Sequence, residues 1–350
     1  MAMEEMEVPK HLMSSSGEEH KICVKNAFSC SLDARDRRLV CVTSGNSHLG
    51  SNIVRALLAR GYLVRVTIQN EVDFEDMKKL MRGEEISQLE CVVVAKMGDL
   101  NSLCDAFRGC HAIFHTSSFI DPHGISGYSE KMAFLETEGA RNVIEACGRA
   151  AYAKRCIFTS SLLAAIWTGE NYEEKKIIDE YSWTNVDFCR ENKLWLALGK
   201  TTAEMACWRK SKEMKVNLVT VCPGLLMDAS HPNAHISTSI PYLKGKSFRG
   251  KAMFKHGRLA VEDVKKAAEA HVCVYEAMDH GAGGRYLSFG KVVTKMAEAI
   301  ELENGLKIHG LLSGEGLEDL GEETDEEVQS MLSNAKLARL IGASQKLSCK

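Results

Sequence analysis

The chain is predicted to fold as an α/β protein: a doubly wound parallel sheet with helices on both faces and a smaller, mostly C-terminal part. Three observations predict it. Short apolar runs of buried-strand type alternate with amphipathic helical stretches as far as about residue 224. The first of these runs enters a turn of small residues before its helix. The 350 residues, 45% of them hydrophobic, can bury a large core as one big unit or two smaller ones.

A net charge of −3 supplies no basic field to hold nucleic acid. No long Lys/Arg block or basic amphipathic stretch points to a membrane surface, so small-molecule partners are favoured. The 13 Cys are scattered without a Cys-x-x-Cys pair or zinc-ligand spacing, and no apolar signal segment stands at the N-terminus. They read as reduced thiols in a cytoplasmic protein. The least polar long run, Cys156 to Gly169, is too short to span a bilayer and contains Thr and Ser, so no membrane span is expected.

Residues 1–37 carry the Glu-rich and Ser-rich piece MEEMEVPKHLMSSSGEEH and no sustained helix or strand period. Such a segment cannot bury enough surface to order itself, and a disordered leader is expected. A plastid transit peptide is the competing reading, but those segments are poor in acid.

Leu39 to Thr43 reads as a buried strand, and Leu49 to about Arg60 as an amphipathic helix. Between them lies Ser44-Gly45-Asn46-Ser47-His48-Leu49-Gly50. Backbone N–H groups at a helix start can approach a pyrophosphate closely only if the turn is small-residued. Against a T-G-x-x-G-x-x-G pattern, the first two glycine positions hold Ser44 and Ser47 and the last keeps Gly50. Gly45, Ser47, His48, Leu49 and Gly50 are the candidate phosphate-binding residues. The bland alternative is a Ser/Gly-rich turn without a ligand.

Tyr62 to Ile68 is the next strand, and its end is where a dinucleotide site declares its preference. An acid there bonds a ribose hydroxyl and an Arg pairs a 2′-phosphate, but this chain offers Gln69-Asn70, which leaves cofactor choice open. Lys78, Lys79 and Arg82 read as a solvated helix face. Cys91 to Val94 and His111 to His115 are strands, separated by a helix over Asn101 to Arg108. Asp99-Leu100 and Thr116-Ser117 follow strand ends, the edge at which such sheets bind ligands. A long helix from about Tyr128 to Ala151 is expected to place Phe134, Val143 and Ile144 in the core.

Arg155 to Ser161 is a strand with a hydroxyl-bearing end. Ser161 can donate a hydrogen bond to a carbonyl oxygen on which charge develops. A helix over roughly Lys193 to Lys212 follows, and four-residue spacing puts Leu196 and Lys200 on one face, a turn apart. After Val221-Cys222-Pro223-Gly224 the chain is less regular. It carries Pro232, Pro241 and a basic stretch from Lys244 to Arg258, read as solvated surface or as a contact for an acidic substrate such as an acyl-CoA. Leu259 to Met278 is expected to be one helix, Ser313 to Glu327 an acidic exposed loop, and Val328 to Ile341 a helix ending at Gly342. No internal repeat and no metal-ligand cluster is seen, so no metal is expected.

The stretches VCVTSGNSHLGSNIV, GDLNSLCDAFRGCHAIFHTSS, FTSSLLAAIW, LWLALGKTTAE, VCPGLL, AEAHVCVYEAM and GRYLSF together carry a resemblance. From about Arg38 onward the chain resembles the extended short-chain dehydrogenase/reductases, within them the plant cinnamoyl-CoA reductase and dihydroflavonol reductase-like branch. The resemblance implies a Rossmann-type subunit, with residues 38–224 mainly binding dinucleotide and residues 225–350 mainly binding substrate. It implies hydride transfer between NADP(H), in preference to NAD(H), and a carbonyl or thioester compound. The family uses a Ser, a Tyr and a Lys, the last two in a Tyr-x-x-x-Lys helix. The Ser maps to Ser161 and the Lys to Lys200, while the Tyr position is Leu196.

A Tyr hydroxyl has an ordinary pKa of about 10 and needs a neighbouring cation to bring it into working range. Leucine has no proton to give, and losing a positioned general acid costs about 10²- to 10⁴-fold in rate. Of the Asn-Trp-Tyr-Cys-Tyr-Gly-Lys signature of cinnamoyl-CoA reductases, Trp195, Gly199 and Lys200 remain, and the family's 2′-phosphate Arg appears as Gln69. Asp99, Ser161, Lys200, Pro223 and Gly224 match the family, the last two at its nicotinamide-side loop. Two expectations stand side by side. One is a reductase that protonates its product from water or another side chain; the other is a dinucleotide-binding pseudoenzyme with a regulatory or partner-binding role.

Overall fold

The structure is a computed structural model that describes residues 21–22, 38–116, 128–168, 177–228, 250–308 and 328–348. Of the expected leader it describes only Lys21–Ile22 (β1). Ser117, Pro232, Pro241, the basic stretch up to residue 249 and the acidic run 313–327 lie outside the described residues.

The alternation foreseen from the apolar runs is present. The chain runs through β2 (Leu39–Thr43), α1 (His48–Ala59), β3 (Leu63–Ile68), α2 (Val72–Leu80), α3 (Gly83–Ser87) and β4 (Cys91–Val94). It continues through α4 (Leu100–Ala106), β5 (Ala112–His115), α5 (Glu130–Arg149), β6 (Arg155–Thr159), α6 (Leu163–Ile166), α7 (Val186–Glu191) and α8 (Trp195–Met214). It closes with β7 (Asn217–Pro223), β8 (Leu225–Met227), α9 (Gly250–Lys255), β9 (Ala260–Asp263), α10 (Val264–Ala277), β10 (Gly284–Ser288), β11 (Lys291–Val292), α11 (Met296–Ile308) and α12 (Ala335–Ser348).

The main sheet has the order β1-β4-β3-β2-β5-β6-β7-β10, parallel from β4 to β10, with β1 antiparallel at its edge. Strand order reverses between β2 and β5, where Val40 pairs with Val64 on one side and Ala112 on the other. A crevice opens beyond the strand ends at such a switch point.

Alternation of side chains sends successive residues to opposite faces, and both faces are covered. Val40, Val42 and Phe114 pack with Ile53 and Leu57 of α1 and Val272 of α10. Cys41 and Ile113 pack on the other face with Leu103, Val143, Ile144 and Cys207 from α4, α5 and α8. The ten described cysteines are all outside disulfides. A second, three-stranded sheet of order β11-β9-β8 sits at the C-terminal part.

Three expectations are corrected. Phe134 is 62% exposed. The inward stripe of α5 is Met132, Ala133, Glu136, Gly139, Ala140, Val143 and Ile144, whereas Phe134 shares a face with Glu138, Arg141 and Glu145. Leu259 to Met278 is not one helix, because Asp263 ends β9 and caps α10, its carboxylate accepting Lys265 N at 2.9 Å and Lys266 N at 3.0 Å. Residues 328–334 are not helical, with Ile178 N donating to Met331 O and Ser333 N to Ile178 O, and α12 starts at Ala335 and runs through Gly342. Glycine weakens a helix interior by about 1 kcal/mol, which does not by itself end it.

Two buried histidines make the fold acid-sensitive. His271 Nδ1–H donates to Ala267 O (2.6 Å), which leaves Nε2 to accept from the Thr159 hydroxyl (2.9 Å). Burial pushes its pKa down to about 4 from 6.5. Burial, with the Lys200 charge second, pushes that of His115 down to about 3. Below about pH 6.5 the unfolded chain takes up protons that these folded rings refuse. Each ring's stabilisation is thus complete above that pH and is lost as pH falls toward the folded value, at up to about 1.4 kcal/mol per pH unit. The urea midpoint is expected to drop between neutrality and about pH 5, and more shallowly in His271→Gln. Identical slopes in parent and variant would contradict this assignment.

Candidate active site

The small-residue turn after β2 is as tight as the sequence demanded. Ser44 takes a left-handed φ of 50° and accepts Ser47 N at 2.9 Å. Ser47 caps α1, its Oγ accepting Gly50 N at 2.9 Å. A Cβ on Gly50 would lie 2.4 Å from Ser44 O, and one on Gly45 2.4 Å from Val66 Cγ1. These contacts explain why glycine is required at 50, where the pattern has it, and at 45, where the pattern does not, while the other two pattern positions tolerate serine. The turn lies at the N-terminus of a twelve-residue helix at the C-terminal sheet edge, so its residues fit a dinucleotide pyrophosphate, which needs close backbone approach and the helix's positive end.

His48, in the first turn of α1, lies 2.9 Å from Asp228 Oδ2 through Nε2, with side chains 11% and 4% exposed. Asp228 follows β8, so this contact ties the phosphate turn to the C-terminal part. Sequence reasoning missed it, since no spacing signals such a pair. Leu49 is buried in the core beneath the turn.

Gln69, Asp99, Leu100, Thr116, Ser161, Pro223 and Gly224 also lie at or near strand ends. Half-buried Gln69 follows β3, its N donating to Asp73 Oδ2 at 2.9 Å. The nearby cations are engaged: Lys78 with Glu75, Lys79 with Asp76 and Arg55 with Glu85. Asp99 precedes Leu100, the first residue of α4, and caps that helix by accepting Asn101 N at 3.0 Å and Ser102 N at 3.4 Å. Thr116, just beyond β5, is locked to β2: its N donates to Thr43 Oγ1 (3.1 Å) and its hydroxyl to Thr43 O (2.5 Å). Thr43 Oγ1 also shares a 3.0 Å hydrogen bond with His115 Nδ1. The two strands flanking the switch point are thus stitched together by side chains.

Ser161 follows β6 between two backbone anchors, Ser160 N to Val221 O and Leu162 N to Pro223 O, each 2.8 Å. Its Oγ accepts Leu163 N at 3.2 Å, which leaves the hydroxyl hydrogen for another acceptor. Pro223 ends β7, and Gly224 N donates to Ser288 O at 2.8 Å, with room for no Cβ against Ala260 O.

Lys200 lies on α8, which is fixed to the sheet one turn later by Glu204. That fully buried carboxylate accepts from Ser160 Oγ, Thr220 Oγ1 and Arg285 Nε, each at 2.7 Å. Lys200 Nζ lies 2.6 Å from Glu136 Oε1, their side chains 11% and 5% exposed. Its charge also reaches His115 at the end of β5. Leu196, one turn earlier, is 5% exposed and packs in an apolar cluster that includes Tyr128, Leu162 and Ala165. Tyr128 and Glu136 were not singled out from the sequence. The available signal was an acid on the inward stripe of an amphipathic helix.

Among the described residues, no group of three or more His, Cys, Asp or Glu could hold a metal ion, and no helix is long and apolar enough to cross a membrane.

Comparison with known proteins places the arrangement. The 3-beta hydroxysteroid dehydrogenase/isomerase family matches residues 41–222. Cinnamoyl-CoA reductase 2 of Arabidopsis thaliana is 33% identical over 76% of this chain and 77% of its own. Cinnamoyl-CoA reductase 1 of the same plant is 35% identical over 71% and 70%. The crystal structure of vestitone reductase from alfalfa (Medicago sativa) is 26% identical and superposes with a TM-score of 0.59, covering 86% of this chain and 91% of that one.

Gly50→Ala tests the turn. Its Cβ has nowhere to go against Ser44 O, so a stability loss of about 1–3 kcal/mol is expected, with at least about tenfold weaker NADPH binding in a fluorescence titration. Unchanged binding would remove this turn from the site.

Proposed function

The chain belongs to the 3-beta hydroxysteroid dehydrogenase/isomerase family, of the extended short-chain dehydrogenase/reductases, and on that premise we propose that it is a reductase of a small, aromatic or CoA-linked carbonyl or thioester compound. The observation that carries this reading is the gathering toward one sheet edge of a tight small-residue turn at a helix start, the Ser161 hydroxyl and the buried Lys200 ammonium. A bound reduced nicotinamide supplies the hydride.

Gly45, Ser47, His48, Leu49 and Gly50 hold the pyrophosphate. Gln69, Asp99 and Leu100 would serve the adenosine side, and Thr116, Lys200, Pro223 and Gly224 the nicotinamide side. The preference for NADP(H) over NAD(H) rests on the resemblance to the cinnamoyl-CoA reductase branch, since neutral Gln69 and Asn70 add no cation at the end of β3. Ser161 Oγ–H donates to the substrate oxygen as negative charge grows there, an interaction worth more in the transition state than in the ground state.

The test is NADPH consumption with a cinnamoyl-CoA-type thioester and a dihydroflavonol-type ketone. Turnover is expected with at least one class, and Ser161→Ala is expected to lower kcat by about 10²-fold with little change in NADPH affinity. No NADPH binding at about millimolar concentration would contradict the reading. So would turnover that appears only in Leu196→Tyr, which would identify a silenced site.

A further inference from the structure

Position 196 has no proton to give, but a hydroxyl stands close by, just ahead of the neighbouring helix. Tyr128, next to the Ser129 cap of α5, is 3% exposed. Its hydroxyl donates to Glu136 Oε2, and Glu136 Oε1 lies 2.6 Å from Lys200 Nζ. The same hydroxyl rests against α8, since a Cβ on Gly199 would come within 2.6 Å of it. Phenol, carboxylate and ammonium thus form one continuous line beside the position where the family carries its Tyr.

Packing does not require this line. Glu136 sits on the inward stripe of α5 among Met132, Ala133 and Ala140, where an apolar side chain would serve the helix contact equally well. Burying an acid and a base there costs several kcal/mol of desolvation per ion, which the pairing at best offsets. A polar array that adds nothing to stability is expected to have chemical work.

We propose that Tyr128 is the proton donor of the reaction and that Glu136 is a positioning residue linking it to Lys200. The proposal rests on the reductase reading above. As the substrate carbonyl carbon gains its hydride, the C=O electron pair moves to oxygen. The Tyr128 hydroxyl turns from Glu136 Oε2 to the substrate oxygen, its Oη–H bond breaks with the electron pair left on Oη, and that proton completes the alcohol. The phenolate left behind is neutralised by a proton that leaves Lys200 Nζ, is accepted at Glu136 Oε1 and is passed to Tyr128 by rotation of the carboxyl. Lys200 recovers its proton from water. Another titratable group within reach of the Lys200 charge is His115 from β5, which stays neutral across the working range and adds no competing charge.

Two readouts test it. In the cofactor-free protein, phenol ionisation is followed by ultraviolet difference absorbance, with Tyr128 identified by subtraction of Tyr128→Phe. Glu136→Gln is expected to lower the Tyr128 midpoint by at least about one pH unit, because a neutral amide replaces the carboxylate that accepts its proton; an unmoved midpoint overturns the link. In turnover, Tyr128→Phe is expected to lower kcat by about 10²- to 10⁴-fold with KM and NADPH affinity within about threefold. Glu136→Gln is expected to move the alkaline limb of the kcat profile to lower pH. A Tyr128→Phe enzyme with kcat within about threefold of the parent overturns the donor role and leaves the reductase reading standing. A parent without turnover overturns both, and the parent alone reveals it.

Discussion

The close approach of α5 to α8 at Gly199 is the constraint on which the site depends. Any side chain there would collide with Tyr128 Oη at 2.6 Å and the Ala133 backbone at 3.0 Å. Because the helices touch so closely, Glu136 reaches Lys200, and Thr137 Oγ1 meets Thr202 Oγ1 at 2.7 Å. One turn further along the same face, Glu204 holds α8 to Ser160 just after β6, to β7 and to β10. The helix therefore carries two buried charges on successive turns, one tied to a helix and one to the sheet. Breaking either pair costs about 3–5 kcal/mol, a large share of a domain's net stability, so Lys200 has little freedom to leave its place.

That rigidity has a chemical consequence. In the family's scheme the lysine is a bare cation that activates a tyrosine one turn away on its own helix. Here its charge is shared with a carboxylate, and the phenol at the far end of that carboxylate comes from the residue just ahead of the α5 cap. Under the proposed proton path the donor stands at Tyr128 and not at position 196, where the apolar Leu196 side chain joins the cluster around Leu162 and Ala165. The dinucleotide turn and the Thr43–His115–Thr116 stitching at the switch point are independent of this change.

Much of the fold was legible in the sequence because a parallel sheet covered on both faces writes its strands as apolar runs. Val40 to Val42 and Ile113 to Phe114 alternate between two cores and still read as continuous hydrophobic stretches. What failed was inference from hydrophobicity without phase: Phe134 is apolar, yet its helical position is shared with Glu138 and Arg141. Asp263 was a cap signal inside an apolar run, and the pairing of residues 328–334 with Ile178 is a tertiary contact without local trace. Gly45, Gly50 and Ser161 were legible as candidates because the turn and the strand end that carry them are local. Tyr128, Glu136 and Asp228 were not, because their meaning arises only when distant segments meet.

The central claim is that the edge between β2 and β5, with Lys200 held beside it, is a working nicotinamide dinucleotide site. Amide hydrogen exchange with and without saturating NADPH tests it most directly. Slowed exchange is expected only in the turn around Ser47 to Gly50, the stretch after β6 at Ser161, and α8 near Lys200. Slowing elsewhere with those segments unchanged, or none at all, would contradict it.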